Sequence, residues 1–371
     1  MLRTYRPLRQ RRLNLLDSDE ALERVEGTAT VQLAPAARVD RRVLAVLDLD
    51  PRIADPATEL RLRDSKSDGF RSPPLLCSRI DGATVATSAA IALTEGGRWV
   101  VESIEPAPVA EAVPVLPLRR IRVGTPQEHV DEAVAIVYSV LSPKKLANYF
   151  HWTLEGLTRA AMLAEAGVPP TVKLLIPAPV TDLHVQSLAA VGVDETRILE
   201  WSGVPTRFPV VFLPTGPQHR GASPPAAAIS LLRRTVVRGT TEPPSLRLWI
   251  SRRLARRRRM QDENELFAVA RAHGFEEVVA EELSVSDQIA LFARAEAVGG
   301  AHGAGLANAV FMRPGGALVE AAPGSLKPRQ KAVFWNVAAA CGHRYACCVG
   351  SGEGFDAGRF DAVLSTALDS A

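Results

Sequence analysis

Two groups of residues in this chain have the types and spacing to do chemistry. His151, Glu155 and Arg159 recur at four-residue intervals, so on a helix they form one ridge. A carboxylate one turn from an imidazole makes a proton acceptor with a partner that can orient it. The same spacing fits a solvated helix face with a Glu155–Arg159 ion pair worth roughly 0.2–0.5 kcal/mol, and on spacing alone this plainer reading is preferred. The second group lies in residues 297–308, an apolar run followed by Gly299, Gly300, His302, Gly303 and Gly305. The run reads as a buried strand, the glycines and histidine as a turn, and residues 304–311 as a helix. Glycine lets backbone approach a ligand closely, and a helix starting straight after the turn aims unpaired N–H groups and its positive dipole end at one point. That point suits the diphosphate of a nucleotide. The spacing is not GxGxxG and no GK[ST] follows, so neither the dinucleotide nor the P-loop fingerprint applies. Close packing of helix on strand, with His302 as a satisfied polar group, accounts for the same residues equally well.

These groups need elements to position them. Strands are predicted at residues 133–138, 172–176 and 210–213, and the helix carrying His151 runs on through Leu163 until Gly167, Pro169 and Pro170 end it. Phe150, Leu154, Leu157 and Ala161 fall on its apolar face. Lys144 and Lys145 just before it read as a solvated turn. After the break at residues 240–244 the alternation is regular: strands at 246–250, 275–280, 317–321 and 345–349, and helices at 262–273, 286–295, 330–340 and 360–368. Ser284 and Asp287 form a capping-box-like start. This pattern predicts a parallel-sheet nucleotide-binding domain, whose ligands sit at the C-terminal strand ends. Those ends carry Ser251 and Arg252, then Glu281, then His302, with Glu320 near the end of the fourth strand. Arginine forks match phosphate oxygens, and a carboxylate at a strand end suits ribose hydroxyls.

Residues 1–118 read as irregular and β-leaning, with strand-like runs at 43–47, 83–93 and 99–104. Asp48-Leu49-Asp50 could be a metal-binding DxD, but no nucleotide-binding unit precedes it, and it is read as a turn. A chain of 371 residues is expected to form two domains with an appendage. The formal charge of +3 is too small to argue for a nucleic acid partner. Cys77, Cys341, Cys347 and Cys348 show no CxxC spacing, which suits a reducing compartment and disfavours zinc. No apolar stretch is long enough for a membrane span.

Ser251-Arg252 with downstream arginines including Arg256, Asn264-Glu265, Gly274-Phe275, Glu281-x-Leu283, Gln288-Ile289, His302-Gly-Ala-Gly-Leu-x-Asn308, Pro314-Gly315 and Glu320 together resemble glycosyltransferase family 61. Upstream, Asn148-x-x-His151-x-x-x-Glu155 resembles the same family's acidic motif, with glutamate where relatives often carry aspartate. The resemblance covers residues 148–323. It implies an α/β fold of two Rossmann-like lobes facing a cleft, the GT-B type, with the β-leaning segment (1–118) packed on the first lobe. The acceptor lobe is expected over 119–240 and the donor lobe over 245–371. It also implies inverting, metal-independent sugar transfer from a nucleotide diphosphate sugar, with no further cofactor, to a glycan or lipid-linked glycan, in bacterial capsular or extracellular polysaccharide assembly. A cytoplasmic enzyme, at most peripheral to the inner face of the membrane, is expected.

Inverting displacement needs a base for the acceptor hydroxyl and positive potential for the leaving diphosphate. Glu155 is assigned as base, with His151 as its orienter or substitute and Asn148 and Trp152 on the acceptor side. Ser251, Arg252, Arg256, Glu281, His302, Gly303, Ala304, Gly305, Leu306, Asn308 and Glu320 are assigned to the donor. A sugar-nucleotide-binding scaffold without turnover, and a sugar-nucleotide epimerase on a similar two-lobed fold, are the alternatives.

Overall fold

The computed structural model describes residues 22–23, 30–40, 45–49, 69–72, 74–87, 90–95, 99–100, 103, 126, 128–138, 148–215, 224–239, 242–255, 260, 262–323, 333–350 and 354–369. They fall into two compact units, one of residues 1–35 and 73–220 and the other of 36–72 and 221–371.

The first unit holds a six-stranded sheet in the order Ile198–Trp201, Lys173–Pro177, Val134–Ile136, Val210–Thr215, Leu75–Asp81, Thr30–Ala34. The first four are parallel to one another and the last two join antiparallel. The two inner strands Val134–Ile136 and Lys173–Pro177 are apolar runs buried on both faces, as a sheet covered on both sides requires, whereas the edge strand Ile198–Trp201 exposes Glu200. All three strands expected over 133–213 are present with ends shifted by a few residues. A second, mixed sheet built around Thr84–Ala86 and Ile91–Leu93 supplies the other wall of a core containing Val85, Ile136, Leu175, Trp201 and Phe208.

The second unit holds a six-stranded sheet in the order Phe275–Val278, Leu246–Ile250, Ala295–Ala301, Ala317–Ala322, Arg344–Val349, Ala45–Leu49, with every pairing parallel. The regular alternation expected after residue 245 is what the structure has. Helices Glu263–Ala272 and Ala357–Asp369 meet over a core of Trp249, Phe275, Ala346 and Phe360.

Three features differ from expectation. Gly299 and Gly300 belong to the strand rather than the turn, and Ala304–Phe311 is a 3-10 helix. Asp48 lies in a strand, in register with Cys348, rather than in a turn, and Asp50 falls outside the described residues. The domain limits also shift: residues 36–72 group with the C-terminal unit because Ala45–Leu49 extends its sheet, and helix Ala226–Val236 groups there too, its Arg233 donating to the Met312 carbonyl at 3.2 Å. Strand pairing at a sheet edge is non-local, so the β-leaning composition of residues 1–118 carried no information about which sheet each piece would join.

Candidate functional site

In the first unit the chemistry sits on one helix. Asn148 caps it, its side chain accepting from the His151 N–H. Tyr149–His151 is α-helical, Trp152–Leu157 forms one wider π turn, and Thr158–Glu165 returns to α. Such π insertions are frequent at functional sites. The cause is legible in the packing. Trp152 folds across Gly156, where an added Cβ would lie 2.4 Å from the indole ring. The indole N–H donates to Ser187 Oγ at 2.6 Å, and the ring meets His184 and Tyr138 edge to face. Trp152 is wholly buried, so its part is to pack the helix against its unit.

His151 Nδ1 and Glu155 Oε1 lie 2.5 Å apart. Their side chains are 23% and 2% exposed, so the carboxylate is enclosed and the imidazole reaches solvent. Arg159, one turn further on, is buried as well. The solvated helix face that the spacing favoured is therefore not what forms. The helix is buried on nearly all sides from Trp152 to Leu163, which amphipathic periodicity alone does not reveal. Lys144 and Lys145 lie outside the described residues.

In the second unit the C-terminal strand ends converge around His302. Ser251 continues the Leu246–Ile250 strand through its N–H to Val278 O. The Arg252 guanidinium then runs over Gly303 and donates through Nη1 to the His302 carbonyl at 3.2 Å. A Cβ on Gly303 would sit 1.7 Å from that nitrogen, so the glycine is required by close approach, its backbone being extended. The Arg252 N–H donates to Glu263 Oε1 at 2.6 Å. Burial raises the Glu263 carboxyl above its ordinary value, opposed by that bond and by the Arg252 charge, and assisted by Glu277 and Glu281. Gly303, Ala304 and Gly305 are partly exposed at the start of the 3-10 helix, while Leu306 and Asn308 are buried. Asn308 donates to Gln288 Oε1, and Gln288 donates to the carbonyls of Ala280 and Leu283, tying the 3-10 helix to its neighbour.

His302 Nδ1 is hydrogen-bonded to Glu320 Oε1. Glu320 is 0% exposed and also accepts from Tyr345 Oη at 2.5 Å. Glu281 is exposed in the turn after Phe275–Val278, and Arg256 lies outside the described residues. The structure thus brings Ser251, Arg252, His302, Gly303 and Glu320 together. It makes Leu306 and Asn308 supports of the turn. Sequence reasoning missed Glu263 and Tyr345: each is an ordinary residue in its local pattern, and only the sheet register, which pairs Leu318 with Tyr345 and Glu320 with Cys347, brings the phenol to the Glu320 carboxylate.

Residues 149–319 match the model of the family Glycosyltransferase 61. This chain carries a glycosyltransferase 61 domain. The domain starts on the His151 helix of one unit and ends on the Ala317–Ala322 strand of the other, so it takes in both groups of residues. Sugar transfer is the activity such a domain implies. No curated protein matches the chain. Tyr345 lies beyond the matched stretch of the glycosyltransferase 61 domain. Among the described residues no helix is long and apolar enough to cross a membrane, and no group of three or more His, Cys, Asp or Glu side chains is gathered as metal ligands would be.

Proposed function

We propose that this chain is an inverting glycosyltransferase of GT-B type. It moves a sugar from a nucleotide diphosphate sugar to a hydroxyl of a glycan or lipid-linked glycan, in the assembly of a bacterial capsular or extracellular polysaccharide. The observation that carries the proposal is the Arg252 guanidinium lying over Gly303 beside His302, inside a glycosyltransferase 61 domain. The polysaccharide setting rests on the resemblance to bacterial family members.

The acceptor oxygen attacks the anomeric carbon, the bond to the diphosphate oxygen breaks, and the configuration inverts. The leaving diphosphate's charge is met by Arg252, His302 and the N–H groups of Gly303, Ala304 and Gly305. Glu281, exposed at the neighbouring strand end, is assigned to the ribose hydroxyls. The acceptor proton goes to the His151–Glu155 pair. Because Glu155 is enclosed and already bonded to Nδ1, His151 Nε2 takes the proton, while Glu155 orients the ring and offsets its charge. Asn148 enters as the cap of this helix.

Incubation with UDP-, GDP-, CDP- and ADP-sugars tests the proposal. Release of a nucleoside diphosphate is the expected result, and an intact or epimerised donor would overturn it. Arg252→Ala should weaken nucleoside diphosphate binding by about 1.5–3 kcal/mol, roughly 10- to 150-fold in Kd by calorimetry.

A further inference from the structure

Behind the donor turn, among the described residues, a buried polar chain runs from Tyr345 through Glu320 to His302. Tyr345 and Glu320 are enclosed, whereas His302 is 9% exposed at the turn beside Arg252. Tyr345 Oη donates to one oxygen of Glu320, and the other oxygen holds His302 Nδ1. Both carboxylate oxygens are thus committed inside the protein. A buried carboxylate in that position serves the histidine, not a ribose hydroxyl. With Nδ1 bound to Glu320, Nε2 is the only ring nitrogen left for a ligand. In a pair holding one shared proton, Nε2 carries a lone pair and repels a phosphate oxygen. It becomes a donor only when the pair holds a second proton.

We propose that Tyr345 and Glu320 are positioning residues that make His302 a proton-linked diphosphate sensor: the donor's diphosphate binds together with one proton, which sits on His302 Nε2. This rests on the assignment of the diphosphate to Arg252 and His302. Among the described residues, His302 meets the Glu320 carboxylate from the Ala317–Ala322 strand, Arg252 from the loop after Ile250 and the Phe334 ring at 5.3 Å from the following helix, and Tyr345 from the next strand holds the other oxygen of Glu320. Burial, then Cys347 and Glu320, push the Tyr345 phenol well above its ordinary value, so it stays an O–H donor throughout the working range. Arg252 is positive at every accessible pH.

Proton linkage is measured by titrating the tightest binder among UDP, GDP, CDP and ADP into wild-type protein by calorimetry at pH 8, in buffers of different ionisation enthalpy. The observed heat should depend on the buffer, giving uptake approaching one proton. Affinity should fall as pH rises from 7 to 9, where the nucleotide's own terminal phosphate is already ionised. Glu320→Gln keeps the shape but removes the charge that favours the second proton. It should bind at least about 10-fold more weakly at pH 8 and recover most of that loss near pH 5.5, because the charge that favours the second proton is gone. Tyr345→Phe removes a bond to the carboxylate and should move the fall in affinity to higher pH. Structural damage would lower affinity alike at every pH, and that result would overturn the proposal. So would buffer-independent heats in wild type, a readout that needs no variant. Arg252→Ala separates the two levels: if it weakens binding while wild type takes up no proton, the donor site stands and the linkage falls. If it binds like wild type, the donor site falls and takes the linkage with it.

Discussion

His151 and Glu155 differ mainly in exposure, and exposure decides what each can touch. On the proposed assignment they act as a unit, one meeting the acceptor and the other holding it in place. Glu155→Gln keeps an oxygen for Nδ1 but loses the charge that stabilises the imidazolium, and kcat should fall by about 10²–10⁴ with donor affinity unchanged. His151→Gln should cost a similar factor, and the double variant should be little worse than either single one, because residues acting as a unit are non-additive. Steady-state kinetics on folded protein measures this. Multiplying losses, or near-normal turnover in either single variant, would break the dyad.

At the level of the element, the π turn is a compromise between helix geometry and the seat of one indole. Alanine normally stabilises a helix relative to glycine by about 1 kcal/mol. At Gly156 the added methyl meets the Trp152 ring at 2.4 Å, and overpacking of that kind costs about 1–3 kcal/mol. The clash should win. Gly156→Ala should lower the denaturation midpoint, and adding Trp152→Leu should return part of the loss. A stabilised Gly156→Ala would show that the helix can shed its π turn. The 3-10 helix under the donor turn has its own anchor in His343, whose Nε2 donates to Ala309 O at 2.9 Å. Burial lowers His343 from 6.5 to about 4. Between those values the unfolded chain binds a proton that the folded protein does not, so stability is complete above about pH 6.5 and is lost as pH falls toward 4. The fall from 6.5 to about 4 corresponds to about 3 kcal/mol. His343→Gln keeps a donor but cannot titrate, so its denaturation midpoints at pH 7 and 4.5 should lie closer together than those of wild type. Parallel curves would refute this.

For the whole molecule, the proposed chemistry draws its positive potential from Arg252, His302 and backbone N–H groups of the C-terminal unit. Transfer and nucleotide binding should accordingly survive EDTA. Loss of activity that Mn²⁺ or Mg²⁺ restores would bring Asp48 and Asp50 back as ligands and displace the metal-independent mechanism. None of the four cysteines is disulfide-bonded, and all four are buried. Burial pushes the thiols of Cys77 and Cys341 up to about 12, which keeps them protonated and inert at neutral pH.

The sequence by itself determined the parallel C-terminal sheet, because apolar strands alternating with capped helices admit few other solutions. It also determined the passage from strand to turn to helix around His302 and the one-turn spacing of His151 and Glu155, since both are local. Only the tertiary structure decided that Glu155 is enclosed rather than solvated, because burial comes from what packs on the far side of a helix. It decided too that Tyr345 stands behind Glu320 and that Ala45–Leu49 closes the edge of a sheet whose other strands come much later in the chain. Strand neighbours are chosen by edge-to-edge fit across the fold, and no local pattern in the chain records that choice.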